Sequence, residues 1–561
     1  MEGLMMKARI ILLGMFAFLT AEFTVGAQLV ERTYIVTDRQ VYVSGEEIFC
    51  SLFCFDATKG GLSDFSSIAY MELVSPKGSA VRSKVALRQG RGAGRLRIPS
   101  DLPTGNYRLI AYTAQNRNED GVDPFMSSRI LSIYNTLSSN RSDGTRLATE
   151  ADKNLTEAEN RTFAASSDGY LEITSRGDSL LIRSLSSDYL DFCLSLSIGD
   201  GIPDPLGPSL DDFIKYCDSE KNKEHHFKGT CIPEYEGEIV SIKVSPKYEG
   251  IQAFLSSPGS RTDIYTSYVD STGLVSFFTG NVYGDRDLVF ELYSPEVEEN
   301  FSYEVLSPFL CPELSEDNVP ELVLSESIRD DLSKRSIYMQ IGRHFGCEEF
   351  TGYLPVRPDL LFLGLNKVVY EMDHYTRFPT MRETITEYVR ELSVRKQDGK
   401  TTIKVSPVKD HSFSSSLLSG TALVLVDGVI VSDHSLVLDL DPSLLKRIDI
   451  YPYDVSTGSY ITSGVVNFIS YKSDMAGCKL PSNVRILGFQ GAPVPVCIGP
   501  GKEDSLSPDY RYTRIWQPLL RLAPAEEMAI PLGHLPQEEL RLVIEGLSGS
   551  KAFHTGKIFS K

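Results

Sequence analysis

Strict alternation of apolar and polar residues, broken into short runs by turn residues, is what most limits how this chain can fold. Between Thr33 and Ile133 the runs VYVSGEEIF, IAYMELV, GRLRIP and YRLIAYTA follow one another with glycine, proline or aspartate between them. Successive side chains of an extended strand point to opposite faces, so each run has one apolar face that only a second sheet can cover. Many short strands of this kind predict a β-sandwich over residues 28–135.

The alternation returns further along. LEITS, SLLIRSL and DFCLSLSI, with a helix near Leu210 to Tyr216, predict a second β module over 168–230. GEIVSIKV, IQAFLSS, GLVSFFT and DLVFELY, with a turn at Asp270-Ser271-Thr272-Gly273, predict a third over 231–308. Residues 136–167 are rich in Ser, Asn, Thr, Asp and Glu without a period and read as a polar linker or long surface loop. A change to helical spacing, with Ile328, Leu332, Ile337 and Ile341 behind a capping Ser325, predicts a helical connector within 309–375.

Residues 376–475 mix the two periods. A helix over Thr384 to Leu392, a hairpin at Asp398-Gly399 and the strands ALVLVDGVIV, RIDIYPY and VVNFISY predict a compact α+β domain. Residues 476–561 are again β in character and read as a C-terminal β module. At 561 residues the chain exceeds what one hydrophobic core sustains. The expected fold class is therefore mostly β and multi-domain, with tandem β-sandwiches followed by an α+β domain and a terminal β module.

Lys7 and Arg9 precede an apolar run from Ile10 to Leu19, and Val25-Gly26-Ala27 offers a small-residue cleavage site, so 1–27 reads as a signal peptide. No Cys follows that site, and a bacterial lipid anchor is not expected. Beyond it no run reaches the roughly 18 to 20 apolar residues of a membrane-crossing helix, so no transmembrane span is expected. The formal charge of −19 is spread along the chain and argues against a nucleic-acid surface. Nine cysteines occur without a CxxC pair. Cys50 and Cys54 share one face of a strand, too far apart to bond each other, and read as buried thiols or as halves of unrelated pairs.

Several short strings imitate reactive signatures. Arg176-Gly177-Asp178-Ser179-Leu180 contains an esterase-like Ser, but its flanks are two short strands, which predicts a hairpin turn. Gly90-Arg91-Gly92-Ala93-Gly94 is followed by an alternating run ending in Pro99, so no helix N-terminus is there to hold a phosphate, and its glycines read as turn residues. Glu224, His225 and His226, flanked by Cys217 and Cys231, have ligand chemistry for zinc but lie in a Lys-rich stretch that reads as a solvated loop. Phe345-Gly346-Cys347-Glu348-Glu349 lacks the Gln that a macroglobulin thioester needs. No catalytic, cofactor-binding or metal-ligating residue is assigned, and no cofactor is expected.

Two separated strings carry a family resemblance. Thr37-Asp38-Arg39-Gln40-Val41-Tyr42-Val43-Ser44-Gly45-Glu46 and Leu102-Pro103-Thr104-Gly105-Asn106-Tyr107-Arg108-Leu109-Ile110-Ala111-Tyr112-Thr113 resemble the second macroglobulin-type sandwich of alpha-2-macroglobulin-like proteins. Leu423-Val424-Leu425-Val426-Asp427-Gly428-Val429, Leu440-Asp441-Pro442, Ile448-Asp449-Ile450 and Gly464-Val465-Val466-Asn467-Phe468-Ile469 are similar to the plug domain of TonB-dependent outer-membrane receptors. Residues 476–561 are too few for the barrel of such a receptor, so the chain is not expected to be the transporter.

Pro233-Glu234 with Gly237, and Asp270 to Phe278, resemble carboxypeptidase-regulatory-like sandwiches. Arg377-Phe378-Pro379-Thr380-Met381 precedes the plug-like helix, and Asp509-Tyr510-Arg511-Tyr512-Thr513 with Trp516-Gln517-Pro518 opens the last module. Together these resemble exported macroglobulin-plus-plug proteins of the Bacteroidota. The resemblance implies no catalytic residues. It does imply that Asp178-Ser179-Leu180 and Asp504-Ser505-Leu506 match a short pattern which such bacteria O-glycosylate.

The expected function is that of a non-enzymatic cell-envelope protein, exported to the periplasm or associated with the outer membrane. It would bind or assemble with an outer-membrane or periplasmic protein, possibly a receptor barrel. The alternative is an accessory ligand-binding protein for a separate TonB-dependent nutrient-uptake system.

Overall fold

The fold is given by a computed structural model, which describes residues 29–559 apart from 76–77, 120–127, 150–168, 206, 222, 228, 230, 260–262, 281, 295, 313–318, 346–350, 353–365, 398, 407–420, 458–459, 501–508 and 534–537. The signal-peptide reading over 1–27 lies outside the described residues. Thirty-three strands against five α-helices among the described residues make the protein mostly β and multi-domain, as its alternation predicts.

In the first sandwich, eight strands run in the order Glu31–Thr37, Glu47–Asp56, Arg91–Arg97, Gly78–Arg88, Ile68–Ser75, Gly105–Tyr112, Arg129–Tyr134 and Val41–Val43. The sheet folds over a core that includes Ile35, Leu52, Met71, Leu73, Val85 and Leu109, and Cys50 and Cys54 both lie in it as free, fully buried thiols. Of the glycines in Gly90-Arg91-Gly92-Ala93-Gly94 only Gly90 sits in a turn, at φ +72°. Gly92 and Gly94 are inside a strand, where a Cβ would stand 2.6 Å from the Val85 side chain, so they are small for packing rather than for turning.

The next two modules are not contiguous in sequence. Leu190–Ile198 pairs on one side with Thr513–Leu522 and on the other with Leu540–Ser548, which carries Lys551–Phe559. The facing sheet joins Leu171–Arg176, Ser179–Ser184 and Glu527–Pro531. Segments read separately as 168–230 and 476–561 thus close one sandwich around Leu180, Ile182, Phe192, Ile515 and Ile544. Each fragment alone would leave a strand edge unpaired, and the far segment supplies the missing hydrogen bonds.

The third sandwich sets Leu274–Phe278, Ile239–Val244 and Tyr303–Val305 against Asp263–Tyr268, Gln252–Ser257, Asp285–Leu292 and Val484–Gln490. Its last strand again comes from 476–561. The α+β domain is therefore inserted in the third sandwich, and the third sandwich in the second.

In the α+β domain the strand order is Val368–Glu371, Leu445–Thr457, Tyr460–Ser470, Leu423–Val426 and Val429–Ile430. Its first helix is Met381–Tyr388, earlier than the expected start at Thr384, because the Thr380 hydroxyl accepts from the Glu383 amide and caps it there. The connector helix is Arg329–Phe345. Ile328, Leu332 and Met339 face the first sandwich, while Ile337 is exposed, because five residues after Leu332 is off the stripe that a 3.6-residue period sets. No helix among the described residues is long and apolar enough to cross a membrane.

Candidate functional site

Where the first sandwich, the connector helix and the returning chain meet, a cleft is built from the residue Asp38 outward. Its carboxylate accepts from the Tyr42 hydroxyl at 2.7 Å, the Phe49 amide at 3.0 Å, Arg39 Nε at 3.2 Å and the Thr513 hydroxyl. Four donors offset the desolvation of a fully buried charge. Arg39 then lies over the rings of Tyr42 and Tyr512, 4.7 and 5.4 Å from their centroids, and reaches Glu46 at 3.1 Å. Burial opposes its charge, but Glu46 and Asp38 hold its pKa above the ordinary arginine value.

Glu46 also accepts from the Val43 amide at 2.7 Å, which closes a turn whose Gly45 sits at φ +101°. The connector helix lies directly on that turn: a Cβ on Gly45 would stand 3.1 Å from Arg343 Nη1 and 3.2 Å from Met339 Sδ. Arg335, two turns nearer the N-terminus, also fixes the helix, with Asp200 and the Val41 carbonyl each at 2.5 Å.

The cleft left between these parts has a volume of about 70 Å³, and its walls include Arg39, Glu47, Tyr338, Arg343, Tyr510 and Arg511. Ligand pockets for whole cofactors run to roughly 300 Å³ or more, so this one suits a side chain. Arg511 is held by Asp509 at 2.9 and 2.7 Å, and Glu47 pairs with Arg95 at 3.4 Å. Arg343 differs: it is exposed and donates to the Ser100 hydroxyl at 3.4 Å, and among the described residues it has no carboxylate partner. Tyr338 and Tyr510 meet edge to face, 5.4 Å apart.

A second polar cluster has metal-ligand chemistry. Glu119, Glu220 and His225 bring their ligand atoms within 4.8 Å of one another. Every carboxylate oxygen already has a cationic partner. Arg32 takes both oxygens of Glu119, at 2.7 and 3.0 Å, and one of Glu220 at 3.0 Å, while Lys223 takes the other at 2.5 Å. The arrangement is an ion-pair clamp between the helix Leu210–Glu220 and the first sandwich, in which a cation would compete with Arg32 and Lys223 for the same oxygens. His225, expected on a solvated loop, is instead packed in this clamp, 2.6 Å from Glu119 and 3.1 Å from the Glu220 carbonyl. Its partner lies more than a hundred positions away, which the local sequence does not reveal. Glu224 and His226 are exposed as expected, and Cys217 is buried among apolar residues.

The remaining strings have structural roles. Arg176 and Ser179 pair across a hairpin turn with Gly177 at φ +60°, so Ser179 opens a strand and not a helix. Asp427, in the plug-like string, is buried at φ +48° and accepts from Ser470 and the Met475 amide, tying down the chain after Tyr460–Ser470. Residues 346–350 and 501–508, with the thioester-like string and the second Asp-Ser-Leu, lie outside the described residues.

The outer face of the three-stranded sheet in the third sandwich is mixed: Phe278 and Leu306 are exposed on it beside Ser241, Lys243, Ser276 and Glu304, with no described element packed over them. Ile239 stands opposite Phe278, and the Leu306 amide donates to the Ser241 carbonyl two residues along. Phe278 and Leu306 are exposed at 46% and 38%. The adjoining edge strand Tyr303–Val305 is exposed at all three residues.

No family model and no curated protein matches the chain. Among solved structures it is similar to trypsin-activated alpha-2-macroglobulin from Escherichia coli, at 9% identity and a TM-score of 0.22 over 96% of this chain and 42% of that one. Salmonella alpha-2-macroglobulin reacted with methylamine matches at 10% identity and a TM-score of 0.22, over 96% and 40%. The Escherichia coli adhesin FdeC matches at 9% and 0.14, over 50% and 65%. The chain thus spans about two fifths of the macroglobulin chains it matches.

Proposed function

We propose that the protein is a non-enzymatic binding or assembly component of a bacterial cell envelope, exported to the periplasm or held at the outer membrane, with another envelope protein as its partner. The observation that carries this reading is the pair of exposed apolar side chains Phe278 and Leu306 on the outer face of the third sandwich, beside the exposed edge strand Tyr303–Val305. An edge strand beside exposed apolar side chains supports strand addition by a partner, with main-chain hydrogen bonds for affinity and side-chain contacts for selection. The export-type N-terminus and the likeness of 376–475 to a receptor plug favour a partner at the outer membrane.

The test is affinity purification of the tagged protein, in mild detergent, from crosslinked native cells, run beside a Phe278→Glu, Leu306→Glu variant. A stoichiometric envelope protein recovered with the wild type and lost from the variant is the expected result. Recovery of the chain alone from both would overturn the reading and shift weight to the accessory, ligand-binding alternative.

A further inference from the structure

The geometry points to the cleft under the connector helix as a receptor for one acidic side chain of a partner polypeptide, with Arg343 as the group that grips its carboxylate. This inference rests on the binding function proposed above but on different residues from the sheet face.

The charge arrangement selects the ligand. Arg39 and Arg511 in the cleft walls are matched by Asp38, Glu46 and Asp509, whereas Arg343 has the Ser100 hydroxyl and, among the described residues, no anion. An unmatched guanidinium in a chain of net charge −19 stands out as an anion receptor. Its planar fork fits a carboxylate through two parallel hydrogen bonds. Glu46 and Glu47 in the same walls repel a doubly charged phosphate more strongly than a singly charged carboxylate. The adjacent Met339, Tyr338 and Tyr510 offer an apolar floor for the methylene stem of a Glu or Asp side chain.

Space has been left for that side chain. Gly342 lies inside the helix Arg329–Phe345 and in the cleft wall, yet among the described residues no atom outside its own helix stands within 4 Å of where its Cβ would be. Close packing therefore does not require glycine here, unlike at Gly45. A helix-interior glycine is about 1 kcal/mol less favourable than alanine. What glycine does at 342 is keep the cleft open beside Arg343.

The test uses the full chain and two peptides, N-acetyl-Leu-Glu-Leu-amide and its Gln counterpart, followed by saturation-transfer NMR. The Glu peptide is expected to bind about tenfold more tightly than the Gln peptide, the effect of one charge-assisted hydrogen-bonded pair. Arg343→Gln should abolish the difference, and Gly342→Leu should block both peptides while leaving thermal unfolding unchanged or raised. Equal binding of the two peptides, or undiminished selectivity in Arg343→Gln, would overturn the assignment. Those results would leave partner capture through Phe278 and Leu306 untouched, so the two readings fail separately.

Discussion

The hydroxyl of Thr513 donates to the carboxylate of Asp38 across 475 positions of sequence, and this bond joins the first strand connection of the protein to the strand that returns to close the second sandwich. Ser195, on the neighbouring strand, donates to the Asp38 carbonyl at 2.7 Å. One aspartate therefore orders the turn before Val41, the cleft wall and the joint between two sandwiches. Removing a group of this kind leaves several buried donors unpaired. Asp38→Ala is expected to destabilise the joint by about 3 kcal/mol, and Thr513→Val by about 1 kcal/mol. Trp516 reports the change, because it is the single tryptophan, is 1% exposed and packs at this joint. Denaturant titration followed by its fluorescence should show an earlier red shift in both variants.

Arg91 bridges the same two sandwiches from the other end. Its guanidinium reaches Asp191 at 3.2 Å and the carbonyls of Leu520, Phe192 and Pro518 at 2.8, 2.9 and 3.1 Å, over the Phe53 ring at 5.0 Å. A lysine has no planar fork and cannot meet four acceptors spread this way. Arg91→Lys is expected to recover little of what Arg91→Met loses, about 2 to 4 kcal/mol. Limited proteolysis should then cut between the first and second sandwiches in both variants at protease levels that spare the wild type.

The joint between the first and third sandwiches should weaken as pH rises. Glu234 accepts from the Tyr70 hydroxyl at 2.7 Å and the Ile239 amide at 2.9 Å, while its second oxygen is buried without a partner. Burial, with Glu238 adding repulsion, pushes its pKa up to about 7, against the opposing pull of the Ile239 and Tyr70 hydrogen bonds and of Lys84. Lys84 is itself paired with Glu238 at 2.5 Å. A folded-state value above the unfolded one means the contribution is full below about 4.5 and is lost between there and about 7. Hydrogen exchange in Ile239–Val244 is expected to quicken, beyond the intrinsic pH effect, from pH 5 to pH 8. Glu234→Gln should flatten that dependence, and an unchanged profile in the variant would count against it.

In the α+β domain the sign is reversed. His434 Nδ1 accepts from the Ile403 amide at 2.9 Å, and burial lowers its pKa to about 4 against the attraction of Asp433. Here the contribution is present above about 6.5 and is lost as pH falls towards 4. NMR titration should find His434 neutral at pH 6. The hairpin Leu392–Gln397 with Lys400–Val405 should lose exchange protection between pH 6 and 4.5, while His434→Leu, which strips the Ile403 amide of its acceptor, should lose it at every pH.

Strands and their pairing depend on different scales of information in this chain. Local pattern alone determined the strands: the i, i+2 rhythm of Glu47–Asp56 put Cys50 and Cys54 on the core face, the Gly177 turn made Arg176 to Ser179 a hairpin, and the Ser209 and Thr380 caps started their helices. Those features need only a few neighbouring residues, because dihedral preference and side-chain period act over that distance. Tertiary structure decided the rest. Any alternating strand can pair with any other of similar length, so nothing within Leu190–Ile198 names Thr513–Leu522 and Leu540–Ser548 as its neighbours; burial of both faces at once does. The same holds for His225 meeting Glu119, and for a cleft whose walls, Arg39, Arg343 and Arg511, come together only when the third sandwich and its inserted domain have looped out and the chain has returned.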